Sequence, residues 1–237
     1  MSINMQNTLS SLEEQIGYQF TNKALLRQAL THSSYANEQK INKWEDYERL
    51  EFLGDAVLEL VSSEFLFKEN KELSEGQLTK MRASMVCEPA LAFCAREIGL
   101  EQYIMLGKGE EATGGRKKDS IISDVLEALI GAVYLDGGME PASALIHRVV
   151  LSDLEHKQLF YDAKTILQEL VQQKDHKGIL QYELLREEGP EHDKLFVVEA
   201  RLDEERIGSG TGRTKKAAEQ QAAYEALMAL RDKQKCL

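Results

Sequence analysis

The fold is decided by the stretch YERLEFLGDAVLEL, residues 47–60. On an α-helix each residue advances 100°, so Glu48, Glu51 and Asp55 fall within roughly a 60° arc of one helix face. The leucines and the valine of the stretch are available to bury the other faces against a packed core. Three carboxylates on one ridge repel one another, so the sequence predicts a cation or a proton beside them.

A second acidic pair lies in SIISDVLEALIG, residues 120–131. Asp124 and Glu127 share one face of the predicted helix, and their neighbours are apolar or small. Burying two carboxylates in such surroundings is costly, so the pair should either reach the helix surface or meet a metal ion. Hard divalent cations such as Mg2+ prefer oxygen ligands, and no His or Cys lies close enough in sequence to suggest a zinc-type set.

Length and charge constrain the partners. The chain has 237 residues, enough for two domains, and its net charge of −11 argues on its face against a nucleic acid. Residues 1–160 contain 16 basic and 25 acidic side chains, whereas residues 161–237 contain 13 and 15. The excess acid therefore belongs to the half with the carboxylate ridges, where a bound metal would offset part of it, and the second half could still present a local basic face.

The cysteines and the hydropathy profile indicate the compartment. The three cysteines, Cys87, Cys94 and Cys236, form no CxxC pair and leave an odd one over, which suits a reducing environment. The N-terminal residues lack a basic region followed by an apolar one, and no run approaches the length of a membrane span. We therefore expect a soluble, cytoplasmic protein with no membrane partner.

Three segments carry a resemblance to a known family. Residues 48–58, ERLEFLGDAVL, resemble the signature of ribonuclease III, the double-stranded-RNA endonuclease family, and residues 124–131, DVLEALIG, resemble its second acidic motif. Between them, residues 74–83, SEGQLTKMRA, are similar to a third family segment. The resemblance covers nearly the whole chain in the expected order. It implies an all-α endonuclease domain followed by an α+β (α-β-β-β-α) double-stranded-RNA-binding domain.

The resemblance also implies the chemistry, which is metal-dependent hydrolysis of phosphodiesters in double-stranded RNA. The implied metal ligands are Glu51, Asp55, Asp124 and Glu127. They would hold Mg2+, with Mn2+ as the expected substitute. The implied catalytic residues are Asp55, Glu127 and, from the edge of the cluster, Glu48. Glu75 is implied to handle metal or substrate less centrally, although by its spacing alone it could simply favour the N-terminus of a helix that Ser74 caps.

The second half has the pattern of a small α+β domain. The apolar period breaks at residues 157–161, which we predict to be a linker between a catalytic domain, 1–156, and an RNA-binding domain, 162–234. The predicted elements of the second domain are a helix at 162–171, strands at 181–186, 195–202 and 206–209, and an Ala-rich helix at 215–230. This order, together with the loop at 189–193 and the segment at 210–220, resembles the double-stranded-RNA-binding domain.

Such a domain recognises RNA by shape, because A-form RNA hides its base edges in a narrow major groove. The implied minor-groove contacts are Thr165, Gln168, Glu169 and His192. The implied phosphate contacts are Arg213, Lys215 and Lys216. Two departures from the family pattern are Ala163, where many relatives have Pro, and Tyr47, where bacterial relatives often have Asn. The second departure leaves open whether that position supports the site.

Two further segments have a predictable local pattern. Residues 107–119 predict a glycine-rich polar loop whose Arg116, Lys117 and Lys118 could approach phosphates, although such a charge run is usually only a solvated loop. A helix is predicted from about 141 to 156, opening with a proline in its first turn.

The resemblance finally implies an assembly and a product. Two catalytic domains would pair symmetrically in a homodimer, with Phe52 in the interface, and each would cut one strand. Cleavage would leave 5′-phosphate and 3′-hydroxyl ends with two-nucleotide 3′ overhangs, in the processing of rRNA precursors, mRNA and small RNAs. Two alternatives stay open. One is a non-cleaving double-stranded-RNA-binding regulator, against which the intact carboxylates argue. The other is an acidic helical scaffold, which leaves the second domain unexplained.

Overall fold

The computed structural model describes residues 2–40, 45–153, 163–173, 178–189, 194–212 and 214–235. The chain forms two compact units, Met1–Ser152 and Asp153–Leu237. The predicted linker at 157–161 and the predicted contact residues His192 and Arg213 lie outside the described residues. The domain boundaries therefore stay a prediction. No helix in the described part of the chain is both long enough and apolar enough to cross a bilayer.

The first unit is helical, as predicted. Its helices are α1 (Ser2–Ile16), α2 (Lys23–Ala29), α3 (Ser33–Glu38), α4 (Glu48–Glu69), α5 (Glu75–Met85), α6 (Glu88–Glu97), α7 (Lys108–Ala112), α8 (Asp119–Gly137) and α9 (Met139–Val149). Local caps explain several of the starts. The Asn22 side chain accepts from the backbone N of Ala24 at the start of α2, and Gln77 accepts from the backbone N of Ser74 at 2.9 Å in the capping box of α5.

Helices α4 and α8 cross at the centre of this unit with their backbones in direct contact. A Cβ atom added at Gly54 of α4 would lie 1.8 Å from the carbonyl oxygen of Glu127, and one added at Gly131 of α8 would lie 2.3 Å from that of Leu50. Only glycine permits so close an approach. The crossing brings Glu51 of α4 close to Asp124 and Glu127 of α8.

Two local predictions were wrong. Residues 107–119 are not a plain loop, because they contain α7 and a 3-10 turn at Gly115–Lys117. The helix predicted at 141–156 begins earlier, at Met139, and ends at Val149. There the backbone N of Leu151 bonds to the carbonyl of Ile146, and Asp153 adopts a positive φ of 49°, which a continuing helix cannot contain.

The second unit has the predicted α-β-β-β-α order. Its elements are α10 (Ala163–Gln173), β1 (Leu180–Glu188), β2 (Leu195–Leu202), β3 (Glu205–Gly212) and α11 (Lys215–Lys235). The strands form an antiparallel sheet in the order β1-β2-β3. Alternate residues of β2, Val198 and Ala200, pack against Ala218 and Ala222 of α11, so the helices cover one face of the sheet.

Small residues bring β3 and α11 unusually close together. A Cβ atom added at Gly210 would lie 2.3 Å from the carbonyl oxygen of Ala218, and one at Gly208 would lie 2.3 Å from that of Ala222. The alanine richness of the last helix is therefore explained by its contact with a glycine-bearing strand.

Candidate active site

Three carboxylates meet where α4 and α8 cross. One oxygen from each of Glu51, Asp124 and Glu127 lies within 4.8 Å of the other two, and all three residues are partly buried. Glu51 comes from α4 and the other two from α8, so the glycine-mediated crossing is what brings them together. We call these three residues the acidic cluster.

The other predicted acidic residues of α4 lie at the rim. Asp55 is exposed and outside the acidic cluster, but its negative charge adds to burial in raising the pKa of Glu51 and Glu127. Glu48 is also exposed, and its charge raises the pKa of Glu51. The structure thus brings three of the four predicted metal ligands into contact range and keeps Asp55 and Glu48 beside them.

Among the described residues, the acidic cluster has no paired positive charge. Burial, followed by the charges of Asp55 and other carboxylates, raises the pKa of Glu127 to about 8, and burial with the neighbouring carboxylates raises that of Glu51 to about 7. Burial also raises the pKa of Asp124. Within the described residues, no Lys or Arg pairs with any of the three. Such a set of crowded oxygen donors suits a hard divalent cation.

A residue outside the predicted site touches the acidic cluster. Tyr47, immediately before α4, is 5% exposed, and its hydroxyl donates to Oδ2 of Asp124 at 3.4 Å. Burial raises the pKa of this hydroxyl far above its usual value, so it stays protonated and acts as a donor. In the sequence, position 47 stands out only as a departure from the family pattern, because a contact between residues 77 positions apart leaves no local signal.

Glu75 does not reach the acidic cluster within one chain. It is exposed at the first position of α5, where its Oε1 accepts from the hydroxyl of Thr79 at 3.0 Å. Its location is consistent with the alternative that the sequence left open, a carboxylate that favours a helix N-terminus.

Two of the three bases before α8 already have acidic partners. Arg116 pairs with Glu111 at 2.6 Å and donates to the carbonyls of Glu101 and Ile104. Lys118 pairs with Glu110 at 2.6 Å, and Lys117 is exposed. The two acidic partners, Glu110 and Glu111, lie in α7, the helix that the sequence prediction missed. Arg116 and Lys118 therefore hold the segment together instead of projecting freely toward phosphates.

The described RNA-contact candidates are all at the surface of the second unit. Thr165, Gln168 and Glu169 are exposed and share one face of α10 at helical spacing. Lys215 and Lys216 are exposed at the start of α11. The Lys215 ammonium lies 3.8 Å from a carboxylate oxygen of Glu187 and 5.8 Å from the ring centroid of Phe196.

Family models match both units. Residues 22–154 match a model described as Ribonuclease-III-like, and residues 163–230 match the double-stranded RNA binding motif. The fold and the acidic cluster thus define a class of protein, an endoribonuclease whose helical nuclease domain is followed by a double-stranded-RNA-binding domain.

Similar proteins narrow the class to one family. A ribonuclease 3 from Shouchella clausii is 51% identical over 220 residues, covering 92% of this chain and 84% of that protein. One from Caldanaerobacter subterraneus is 49% identical over 225 residues, covering 94% and 98%. The nuclease domain of ribonuclease III from Campylobacter jejuni aligns with a TM-score of 0.57 and 42% identity over 61% of this chain and 97% of that one. The chain belongs to the ribonuclease III family of double-stranded-RNA endonucleases.

Proposed function

We propose that the chain hydrolyses phosphodiesters of double-stranded RNA with a divalent metal ion held at the acidic cluster, Mg2+ in the first place and Mn2+ as a substitute. The observation that carries this proposal is the convergence of three carboxylate oxygens within 4.8 Å, with raised pKa values and no pairing cation among the described side chains. Bringing these charges together is unfavourable without a cation, so a bound ion would resolve the repulsion that the fold creates.

Each acidic residue has a proposed part in this reaction. Glu51, Asp124 and Glu127 would hold the ion, with Asp55 completing the set from the rim. When bound, Mg2+ supplies Lewis acidity for the leaving 3′ oxygen and lowers the pKa of a water molecule. Glu48, exposed at the edge, would accept the proton of the attacking water at its carboxylate. Glu75 would act on substrate from the exposed start of α5.

The products follow from which bond breaks. Attack of water on phosphorus with cleavage of the P–O3′ bond leaves a hydroxyl on the 3′ end and the phosphate on the 5′ end. Two active sites offset across a duplex would leave two-nucleotide 3′ overhangs. We propose rRNA precursors, mRNA and small RNAs as substrates and the cytoplasm as the location.

A homodimer would supply the second active site. Phe52 is 81% exposed on α4, beside an open depression that Leu53 and Leu135 help to line, and Leu135 is itself 54% exposed. Exposed apolar side chains that lie together, unlike single scattered ones, are typical of interfaces. In an isologous pair, Phe52 of each protomer would enter the depression of the other. The Campylobacter jejuni structure was described for flexibility in the region where its nuclease domain forms a dimer.

The second unit would hold the duplex. Thr165, Gln168 and Glu169 present hydrogen-bonding groups on one face of α10, which suits the minor groove. Lys215 and Lys216 at the N-terminus of α11 suit phosphates, and so would Arg213. His192 is proposed as a further minor-groove contact. The proposed domain limits are 1–156 and 162–234, with a linker at 157–161.

The test is a cleavage assay on a long end-labelled RNA duplex, with Mg2+ and separately with EDTA, using the wild type, Glu127→Gln and the matched control Glu140→Gln. Glu140 is an exposed carboxylate on α9 and lies outside the acidic cluster. We expect Glu127→Gln to bind the duplex and not cut it, and the control to cut normally. Cleavage in EDTA, or wild-type rates for Glu127→Gln, would refute the metal assignment. Retarded but uncut RNA in the wild-type lanes would favour the regulator.

A further inference from the structure

Tyr47 is buried beside the acidic cluster, with hydrogen bonds on both sides of its backbone. Its backbone N donates to the carbonyl of Thr31 at 2.9 Å, and its own carbonyl accepts from the backbone N of Glu51 at 2.9 Å. Its ring lies 5.6 Å from the ring of His32, centroid to centroid. With the backbone bonded on both sides and the ring packed, the hydroxyl has a defined position.

The hydroxyl uses that position to contact Asp124. A buried tyrosine hydroxyl requires a hydrogen-bond partner, and Oδ2 of Asp124 provides it at 3.4 Å. Asp124 also contributes an oxygen to the acidic cluster. Burial and the charge of Glu88 disfavour the charged form of Asp124, whereas hydrogen bonds with Tyr47 and Ser123 favour it, so the Tyr47 hydroxyl is one of two side-chain groups that hold this carboxylate.

We propose that Tyr47 is a positioning residue, whose hydroxyl holds the Asp124 carboxylate in the orientation in which it meets Glu51 and Glu127. This inference rests on the proposed metal site. Hydrogen bonds to ligating carboxylates orient them and are known to affect metal affinity strongly.

The chain contains a matched control for this role. Tyr18 also donates its hydroxyl to an aspartate of α8, Oδ2 of Asp136, at 2.8 Å. Asp136 additionally accepts from the backbone N of Thr21 and of Asn22, both at 2.8 Å, and it lies outside the acidic cluster. Tyr18→Phe therefore removes the same kind of bond to the same helix with no effect on the proposed ligands.

The experiment measures Mn2+ binding to the full chain without RNA, by electron paramagnetic resonance of the free ion, for wild type, Tyr47→Phe and Tyr18→Phe. Circular dichroism checks that each variant is folded, which we expect because each loses only one oxygen atom. Mutations of groups that orient metal ligands cost 10–100-fold in affinity, and the contact is long, so we expect about tenfold weaker Mn2+ binding for Tyr47→Phe. Tyr18→Phe should bind like the wild type.

A double variant tests whether Tyr47 acts through Asp124. If it does, adding Tyr47→Phe to Asp124→Asn should weaken Mn2+ binding no further. In cleavage assays Tyr47→Phe should raise the Mg2+ concentration for half-maximal rate and leave the KM for RNA unchanged.

The outcomes separate the two proposals. Failure of the wild type to bind Mn2+ would overturn the metal site itself. Equal binding by wild type and Tyr47→Phe, or equal losses in Tyr47→Phe and Tyr18→Phe, would overturn the positioning role and leave the metal site standing.

Discussion

The contact between α4 and α8 makes a sharp prediction for Gly54→Ala. The added Cβ would lie 1.8 Å from the carbonyl oxygen of Glu127, whereas ordinary van der Waals contact begins at about 3.4 Å. The helices must therefore separate by on the order of 1.5 Å, and backbone atoms cannot move aside as a side chain can. Overpacking a core costs roughly 1–3 kcal/mol and occasionally more, and we expect the upper end here, about 3 kcal/mol.

The same separation should weaken the site. Glu51 lies one helical turn before Gly54, and moving α4 away from α8 pulls its carboxylate from Asp124 and Glu127. We therefore expect Gly54→Ala to lose cleavage activity more than it loses duplex binding, because the RNA-binding unit is separate.

Gly76→Ala is the matched control. Gly76 is also helical, in α5, but a Cβ there would have no atom within 4 Å. This change should stabilise the protein by about 0.5–1 kcal/mol through helix propensity. Urea unfolding, followed by the fluorescence of the single tryptophan, Trp44, measures both variants. Gly54→Ala as stable and as active as Gly76→Ala would refute the reasoning about backbone contact.

Three further predictions concern the charge of the site, the RNA-binding surface and the dimer. Burial and neighbouring carboxylates raise the pKa of Glu127 from an ordinary 4.5 to about 8 in the folded, metal-free protein. Between these two pH values the folded protein keeps a proton on Glu127 that the unfolded chain releases. The free energy of unfolding should therefore fall as the pH rises from about 4.5 to 8. Mg2+ must displace that proton, so its effect on the unfolding temperature should grow with pH, and an equal effect at about pH 6 and 8 would contradict this. Glu187→Gln should tighten duplex binding about threefold in gel-shift assays at low salt, because Glu187 pairs with Lys194, at 3.1 Å, and with Lys215, at 3.8 Å, and exposed pairs of this kind are worth up to about 1 kcal/mol. Glu183→Gln, on the same strand, should leave binding unchanged, and equal effects of the two would count against a role for these two lysines. Phe52→Ala should weaken the proposed dimer about tenfold or more in sedimentation experiments, as expected for a central aromatic contact, and an unchanged dimer would exclude Phe52 from the interface.

Much of the fold could be predicted because its signals are local. The acidic ridge of α4 follows from the 100° advance per residue, and the predicted limits of β2, 195–202, match the structure. The strand is a short run rich in apolar residues, and its middle residues are buried on both faces of the sheet. The features that the sequence prediction missed also have local signals, but these signals are weak. Helix α7 has only five residues in a glycine-rich segment, and the end of α9 depends on Leu151 turning into the core.

The sequence by itself determined that Glu51 shares a helix face with two other carboxylates, that Asp124 and Glu127 share another, and that an α-β-β-β-α domain follows. Only the tertiary structure decided which of these carboxylates meet. It brought Glu51 to Asp124 and Glu127, kept Asp55 at the rim, and placed the Tyr47 hydroxyl on Asp124. The physical reason is that periodicity fixes directions around one helix axis, whereas distances between helices depend on how closely their backbones approach, here at Gly54 and its counterpart on α8.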